Sequence, residues 1–278
     1  MAHQTQLIIA LDPGTSGLAA TYALGRDTFD NHGRKSRSII PNTETQVDNW
    51  PGASRGVSPG HVCLPTTLIY HRVSKTLLHW GFAAQKHLAK QDPAIDRKQE
   101  LVVENVKLLL PHLQEVTQLD KVSELPRHKK ARIELFEVLG KEPSEVFGDL
   151  LRICFSHILK TAVTQFAPRG CFSNPTHIEL VICFPGGWHS TLHTDIAKLS
   201  ADALQGAITK NNVLVDSFGL QDIYTVSETL CGIRCWMQTN LVDEAESTDP
   251  DRHETVKNIS CLKVGFYEIC EIYKELNN

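Results

Sequence analysis

Leu7–Leu24 reads LIIALDPGTSGLAATYAL. Two apolar runs, Leu7–Leu11 and Leu18–Leu24, flank a tight polar turn, Asp12-Pro-Gly-Thr-Ser-Gly17. Runs of this kind around such a turn predict the two strands of a β-hairpin. The turn gathers one carboxylate, two hydroxyls and two glycines. Gly14 and Gly17 permit close backbone approach and unusual φ, and successive N–H groups in such a turn form a nest for phosphate oxygens. Thr15 and Ser16 add hydroxyl donors. Asp12 would repel a phosphate directly, but it fits if Mg²⁺ stands between them, held through water as Mg²⁺ prefers. The same residues also suit an ordinary tight turn in which Pro13 presets φ. The turn alone leaves both readings open.

Outward from the hairpin, residues 26–61 are rich in Asn, Gly, Pro, Ser and Arg and predict a long loop. Leu64–Tyr70 and Thr76–Phe82 predict a second strand pair around a polar turn at Arg72–Lys75. Residues 83–110 read as mostly helical, ending at Pro111, and residues 112–143 are polar with no clear element. The strongest helical period runs from Ser144 to Phe166, with Val146, Phe147, Leu150, Leu151, Cys154, Ile158, Leu159, Ala162 and Val163 on one side. Pro143 and Ser144 suit its start and Pro168 its stop. Ile178–Phe184 then reads as a strand. Pro185-Gly-Gly187 turns the chain, and Ser190 opens a helix carrying Leu192, Ile196, Leu199 and Ala203. A further strand through Val226, a short turn and a helix through Trp236 repeat the theme. Alternating strands and helices predict an α/β layer with crossover connections.

With 278 residues the chain can bury a sizeable core as one large domain or two small ones. A net charge of -4 gives no global field for nucleic acid or an anionic membrane, so neither is expected as a partner. The basic run Arg127–Arg132 has no interleaved aromatics and reads as a solvated segment. The apolar run at Leu7–Leu11 has no basic residues before it to make a leader, and nothing reaches the roughly 18 apolar residues of a membrane span. A cytoplasmic location is expected. Eight cysteines lie scattered, several within apolar runs, which suits reduced, buried thiols. Cys231 with Cys235, and His61 with Cys63, lack a second half at zinc spacing.

Two further residues are candidates. Glu228 falls at the end of a predicted strand, where ligands gather in open α/β sheets. A carboxylate at that point also suits the positive end of the following helix. Lys107 lies among apolar neighbours in VVENVKLLLP, where most lysines extend their amine to solvent.

The order of these segments resembles the actin-like ATPases, and within them the seventy-kilodalton heat-shock chaperones. IALDPGTSGLAATYAL resembles the first phosphate hairpin of that superfamily. LPTTLIYHRVSKTLLHWGFAAQ is similar to the chaperones' strand pair ending in Gly-aromatic-x-Ala. VICFPGGWHSTLHTDIAKLSADALQGA is similar to their Val-Pro-Ala-aromatic strand with the helix behind it, and DIYTVSETLCGIRC to their Asn-Glu-Pro-Thr strand-turn-helix. The Ser-Glu variant resembles the divergent fungal-type branch. The resemblance covers residues 6 to 240. It implies an actin-like, ribonuclease-H-like first lobe. Residues 1–40 and 143–240 would form the core subdomain, residues 41–142 an inserted peripheral subdomain, and residues 241–278 a divergent tail.

By the same resemblance, Asp12 orders the waters of Mg²⁺, and Gly14, Thr15 and Ser16 grip the phosphates of ATP. Glu228 holds the metal's outer shell or orients the attacking water, and Lys107 meets the γ-phosphate. Such positioning and charge neutralisation carry most of phosphoryl transfer. Pro13 stands where the family has an apolar residue, and Thr229 where it has a proline. Lys263-Val-Gly-Phe-Tyr267 occupies the place of the second Gly-rich phosphate loop. The expectation is therefore a truncated heat-shock-type ATPase homologue with half of an ATP/Mg²⁺ site, weak binding and doubtful hydrolysis. The alternative is a non-catalytic protein that binds a partner or client, or itself, through the exposed lobe face.

Overall fold

The structure is a computed structural model. It describes residues 5–14, 16–29, 35–53, 63–90, 97–110, 133–169, 172, 176–184, 190–216 and 218–227.

The quoted stretch forms strands β1 (Thr5–Pro13) and β2 (Gly17–Phe29), paired antiparallel with Ile9 opposite Tyr22 and Leu11 opposite Ala20. Side chains alternate along a strand. Leu7, Ile9 and Leu11 accordingly enter the main core, while Ile8 joins a small cluster with Val181 and Val226. Three short strands follow: β3 (Lys35–Ile39), β4 (Thr45–Gln46) and β5 (Leu64–Pro65). All three pair with β2, each along a different stretch of it. The long loop expected over residues 26–61 is thus corrected. Its polar residues conceal strands whose pairing is through the backbone, and β2 itself continues to Phe29.

A second, antiparallel sheet comes next, made of β6 (Leu68–His71), β7 (Leu77–Trp80) and, after helix α1 (Gly81–Ala89), β8 (Glu100–Val103). Its strand order is β7-β6-β8. The expected strand pair is present. The mostly helical reading of residues 83–110 is not: α1 stops at Ala89, and β8 alternates, with Leu101 and Val103 buried and Val102 exposed. Four residues are too few for that alternation to outweigh a helix-forming composition in the sequence. The short 3₁₀ turn Val106–Leu109 follows β8.

Helix α2 (Pro143–Phe166) matches its periodicity. Pro143 occupies the first helical position, where a missing N–H costs nothing. The Glu142 N–H donates to the Glu145 carboxylate at 2.7 Å, closing the first turn. Val146, Leu150, Leu151, Ile158, Leu159 and Phe166 are buried, each contributing roughly 1.5–3 kcal/mol. The Phe166 ring meets Tyr22 of β2 edge-on, with centroids 5.8 Å apart, and the Tyr22 hydroxyl donates to Gln165. These contacts seat α2 on the main sheet.

Strand β9 (His177–Phe184), helix α3 (Ser190–Lys210) and strand β10 (Ile223–Ser227) complete the described chain. Helix α3 packs beside α2. Strand β9 runs parallel to both β1 and β10, so the main path of the large sheet is β10-β9-β1-β2-β3. Three antiparallel strands extended by two helix-connected parallel ones make the ribonuclease-H-like order expected above. The turn at residues 185–187, the helix through Trp236 and the tail at 241–278 lie outside the described residues. No helix among the described residues is long and apolar enough to cross a membrane.

Candidate functional site

Strands β1, β9 and β10 point the same way, so their carboxyl ends open on one edge of the sheet. Leu11 pairs with Ile182, and Phe184 with Ser227. Pro13 therefore stands level with Phe184 and Ser227, and Ser227 is two strand spacings away, roughly 10 Å. Asp12 lies at this edge with its side chain exposed, next to buried Pro13. Helix α3 begins over the same edge. Its first-turn residue His193 stacks on Phe184, with ring centroids 4.9 Å apart and planes 16° from parallel.

The hairpin tip is tight. The Gly14 N–H donates to the Asp12 carbonyl at 3.0 Å, a three-residue turn. A Cβ at Gly14 would lie 2.7 Å from the Gly17 carbonyl oxygen, and one at Gly17 would lie 2.8 Å from Cys63 Cβ. Neither position has room for a side chain. Gly14 thus presents bare backbone at the tip, and Ser16 is exposed beside it.

A segment far away in sequence holds this tip in place. Pro65 and Leu64 of β5 pair with Gly17 and Leu18, and the Thr66 N–H donates to the Ser16 carbonyl at 3.2 Å. The exposed Cys63 lies over Gly17. The sequence reading missed these residues, because nothing within reach of Cys63–Thr66 in the chain announces a partner near residue 17. Beyond them, the Gly81 N–H donates to the Thr67 carbonyl at 2.9 Å. Gly81 has φ +55°, and a Cβ there would lie 2.3 Å from Leu64 Cδ1.

Asp12, Gly14 and Ser16 are thus brought together at one tip. Thr15 and Glu228 lie outside the described residues, although Glu228 directly follows Ser227 in the chain. Lys107 is 5% exposed, on the 3₁₀ turn that packs on α2. One exposed carboxylate beside a glycine-lined turn fits Mg²⁺, which keeps several waters and takes few protein ligands.

No protein-family profile matches the sequence, and no curated protein matches it. Among solved structures the chain is similar to MreB5 of Spiroplasma citri bound to ADP, with 12% identity and a TM-score of 0.32 over 80% of this chain and 38% of that one. It is also similar to a nucleoside triphosphate hydrolase structure from Neospora caninum, with 12% identity and a TM-score of 0.35 over 86% of this chain and 32% of that one. A non-polymerising mutant of MamK bound to AMPPNP gives 14% identity and a TM-score of 0.27, over 81% of this chain and 42% of that one. The match spans about two fifths or less of those proteins' own length. The strand order β10-β9-β1-β2-β3 gives an α/β fold of the ribonuclease-H-like class.

Proposed function

We propose that the chain is a homologue of the heat-shock-type chaperone ATPases, and that it holds the phosphates of ATP with Mg²⁺ at the β1–β2 tip. The observation that carries this reading is the tip itself. Two glycines with no room for a Cβ stand beside an exposed carboxylate, on the edge where parallel strands end. Open α/β sheets bind ligands outside that edge. The three segments resembling the chaperones support the finer kinship.

Each proposed role follows from the residue's chemistry. Asp12 accepts hydrogen bonds from waters of a bound Mg²⁺. Gly14 offers its backbone to phosphate oxygens, and Thr15 and Ser16 donate hydroxyls. Glu228 orients water near the metal, and Lys107 offers positive charge to the γ-phosphate. The bound metal would supply charge neutralisation on the phosphates. In the described residues Asp12 and Ser16 are exposed, so this half of the site stays wet. Electrostatic stabilisation is weak in a wet site. Binding is therefore weak and hydrolysis slight or absent. A cytoplasmic setting and a protein client complete the proposal.

Calorimetry with Mg-ATP and a phosphate-release assay, each run beside Asp12→Ala, test it. Weak binding that Asp12→Ala abolishes, with little phosphate released, is expected. The absence of any heat with Mg-ATP refutes the nucleotide reading. Tight binding with Asp12-dependent turnover refutes the half-site.

A further inference from the structure

Helix α1 has Gly81 and Ala84 buried and Phe82 half-buried against the main core. Further along, its His87 ring stacks on His79 of β7, with centroids 4.3 Å apart and planes at 30°. The His87 Nε2–H donates to the Glu100 carboxylate of β8 at 2.6 Å, and that carboxylate is buried. Strand, helix and second strand are thus joined through two imidazoles and a carboxylate.

We propose that this contact is an acid-sensitive latch, in which a neutral His79 stacks on His87 to hold α1 on the three-stranded sheet and protonation of His79 releases it. The groups facing His79 set the direction. From α1 and the residue after it come His87 and Lys90, both opposing a charge on His79, and from β8 comes Glu100, favouring one. From β6, His71 stands opposite Glu100 in register, and its Nδ1 accepts the Ser74 N–H at 3.0 Å. Burial weighs most, ahead of repulsion from His87, and together they hold His79 below its ordinary value of 6.5 despite Glu100. With α1 docked, His79 therefore binds its proton less readily than with α1 released, so acid favours release. The docked state is at full strength above about pH 6.5 and weakens below it.

Release has a defined neighbour. Gly81, two residues after His79, begins α1, bonds to Thr67 and lies against Leu64 of β5. Loosening α1 thus loosens the strand that clamps the hairpin tip. The latch does not depend on nucleotide binding, and its test uses none.

Amide hydrogen exchange on the full chain between about pH 7.5 and about pH 5, corrected for intrinsic exchange, reads the opening of α1 directly. Protection across Gly81–Ala89 should fall on acidification, by about tenfold for each pKa unit of depression, while α2 keeps its protection. His79→Phe retains a ring on His87 but takes up no proton, and its α1 protection should stay flat. Flat protection in the wild type, or an equal fall in His79→Phe, overturns the latch. Nuclear magnetic resonance titration of His79 in the wild type gives an independent reading that needs no variant to fold. A midpoint below about 6.5 agrees with the latch, and one at or above it overturns the proposal.

Discussion

The two sheets of this molecule share one apolar core and differ in the polar groups that tie them to it. The large sheet buries the apolar side chains of β1, β2 and β9 in the main core, with one titratable cluster at β9, where His177 lies 3.5 Å from buried Glu179 and 3.4 Å from buried Asp222. The three-stranded sheet has four-residue strands, shares that core through Leu68, Tyr70, Leu101 and Val103, and adds a set of polar ties. The Tyr70 hydroxyl donates to Asp149 of α2 at 2.9 Å, Lys141 and Arg152 bind the same carboxylate, and Arg72 pairs with Glu134 at 2.5 Å. Apolar burial does not depend on pH, whereas contacts between titratable groups do. The shared apolar core should therefore set the stability of the whole, and the polar ties of the three-stranded sheet to α2 should shape how that stability responds to pH.

Four substitutions test this division, from the largest expected effect to the smallest. Leu151→Ala, in the fully packed centre of α2, should cost about 2–5 kcal/mol in denaturant unfolding; a loss below 1 kcal/mol would mean that the α2 face does not carry the core. Gly81→Ala should cost about 1–3 kcal/mol, because an alanine at φ +55° is strained and its Cβ meets Leu64. Exchange in α1 and around the hairpin tip should rise well above that in α2. A uniform rise would show that the two regions open as one.

Asp149→Asn should cost about 1–2 kcal/mol at neutral pH and should flatten the acid limb of the stability curve. Burial alone would raise the Asp149 pKa, but hydrogen bonds from Lys141, Tyr70 and Arg152 outweigh it and hold the group below its ordinary 3.8. A depressed carboxylate stabilises the fold fully above that ordinary value and loses its contribution as pH falls through the lowered one. An unchanged acid limb in the variant would place the pH response elsewhere. Ser200 on α3 is fully buried, and its hydroxyl has no hydrogen-bond partner among the described residues. Ser200→Ala should leave the melting temperature unchanged or raise it by an amount worth about 0.5–1 kcal/mol. A clear drop would show that the hydroxyl is satisfied after all.

The division between the sheets also explains what could be read from sequence. β1, β2, α2 and β9 were legible because their apolar residues recur at the period of the element over many residues. Strand β3 was not, because it pairs with β2 through its backbone and its sequence, KSRSI, carries no alternation of apolar residues. β8 was lost for want of length. At the candidate site, Asp12, Gly14 and Ser16 were legible because the turn is local. The clamp from Cys63–Thr66 was not, because it depends on tertiary pairing of residues 46 and 48 positions apart, Leu18 with Leu64 and Gly17 with Pro65. The buried position of Lys107 likewise depends on α2, which begins well beyond it in the chain.

The tiling of β2 bears on how the molecule avoids its own kind. β2 is thirteen residues long, and a bare edge of that length would be a ready template for a strand from another chain. Its outer side is instead covered in three pieces, of five, two and two residues, set at separate heights. What faces outward beyond them is a broken row of short segments with no long register to offer. An incoming strand could pair with a few residues before the row steps away. The fold thereby resists edge-to-edge aggregation at the side of its longest strand, and it does so with segments whose sequences hardly look like strands at all.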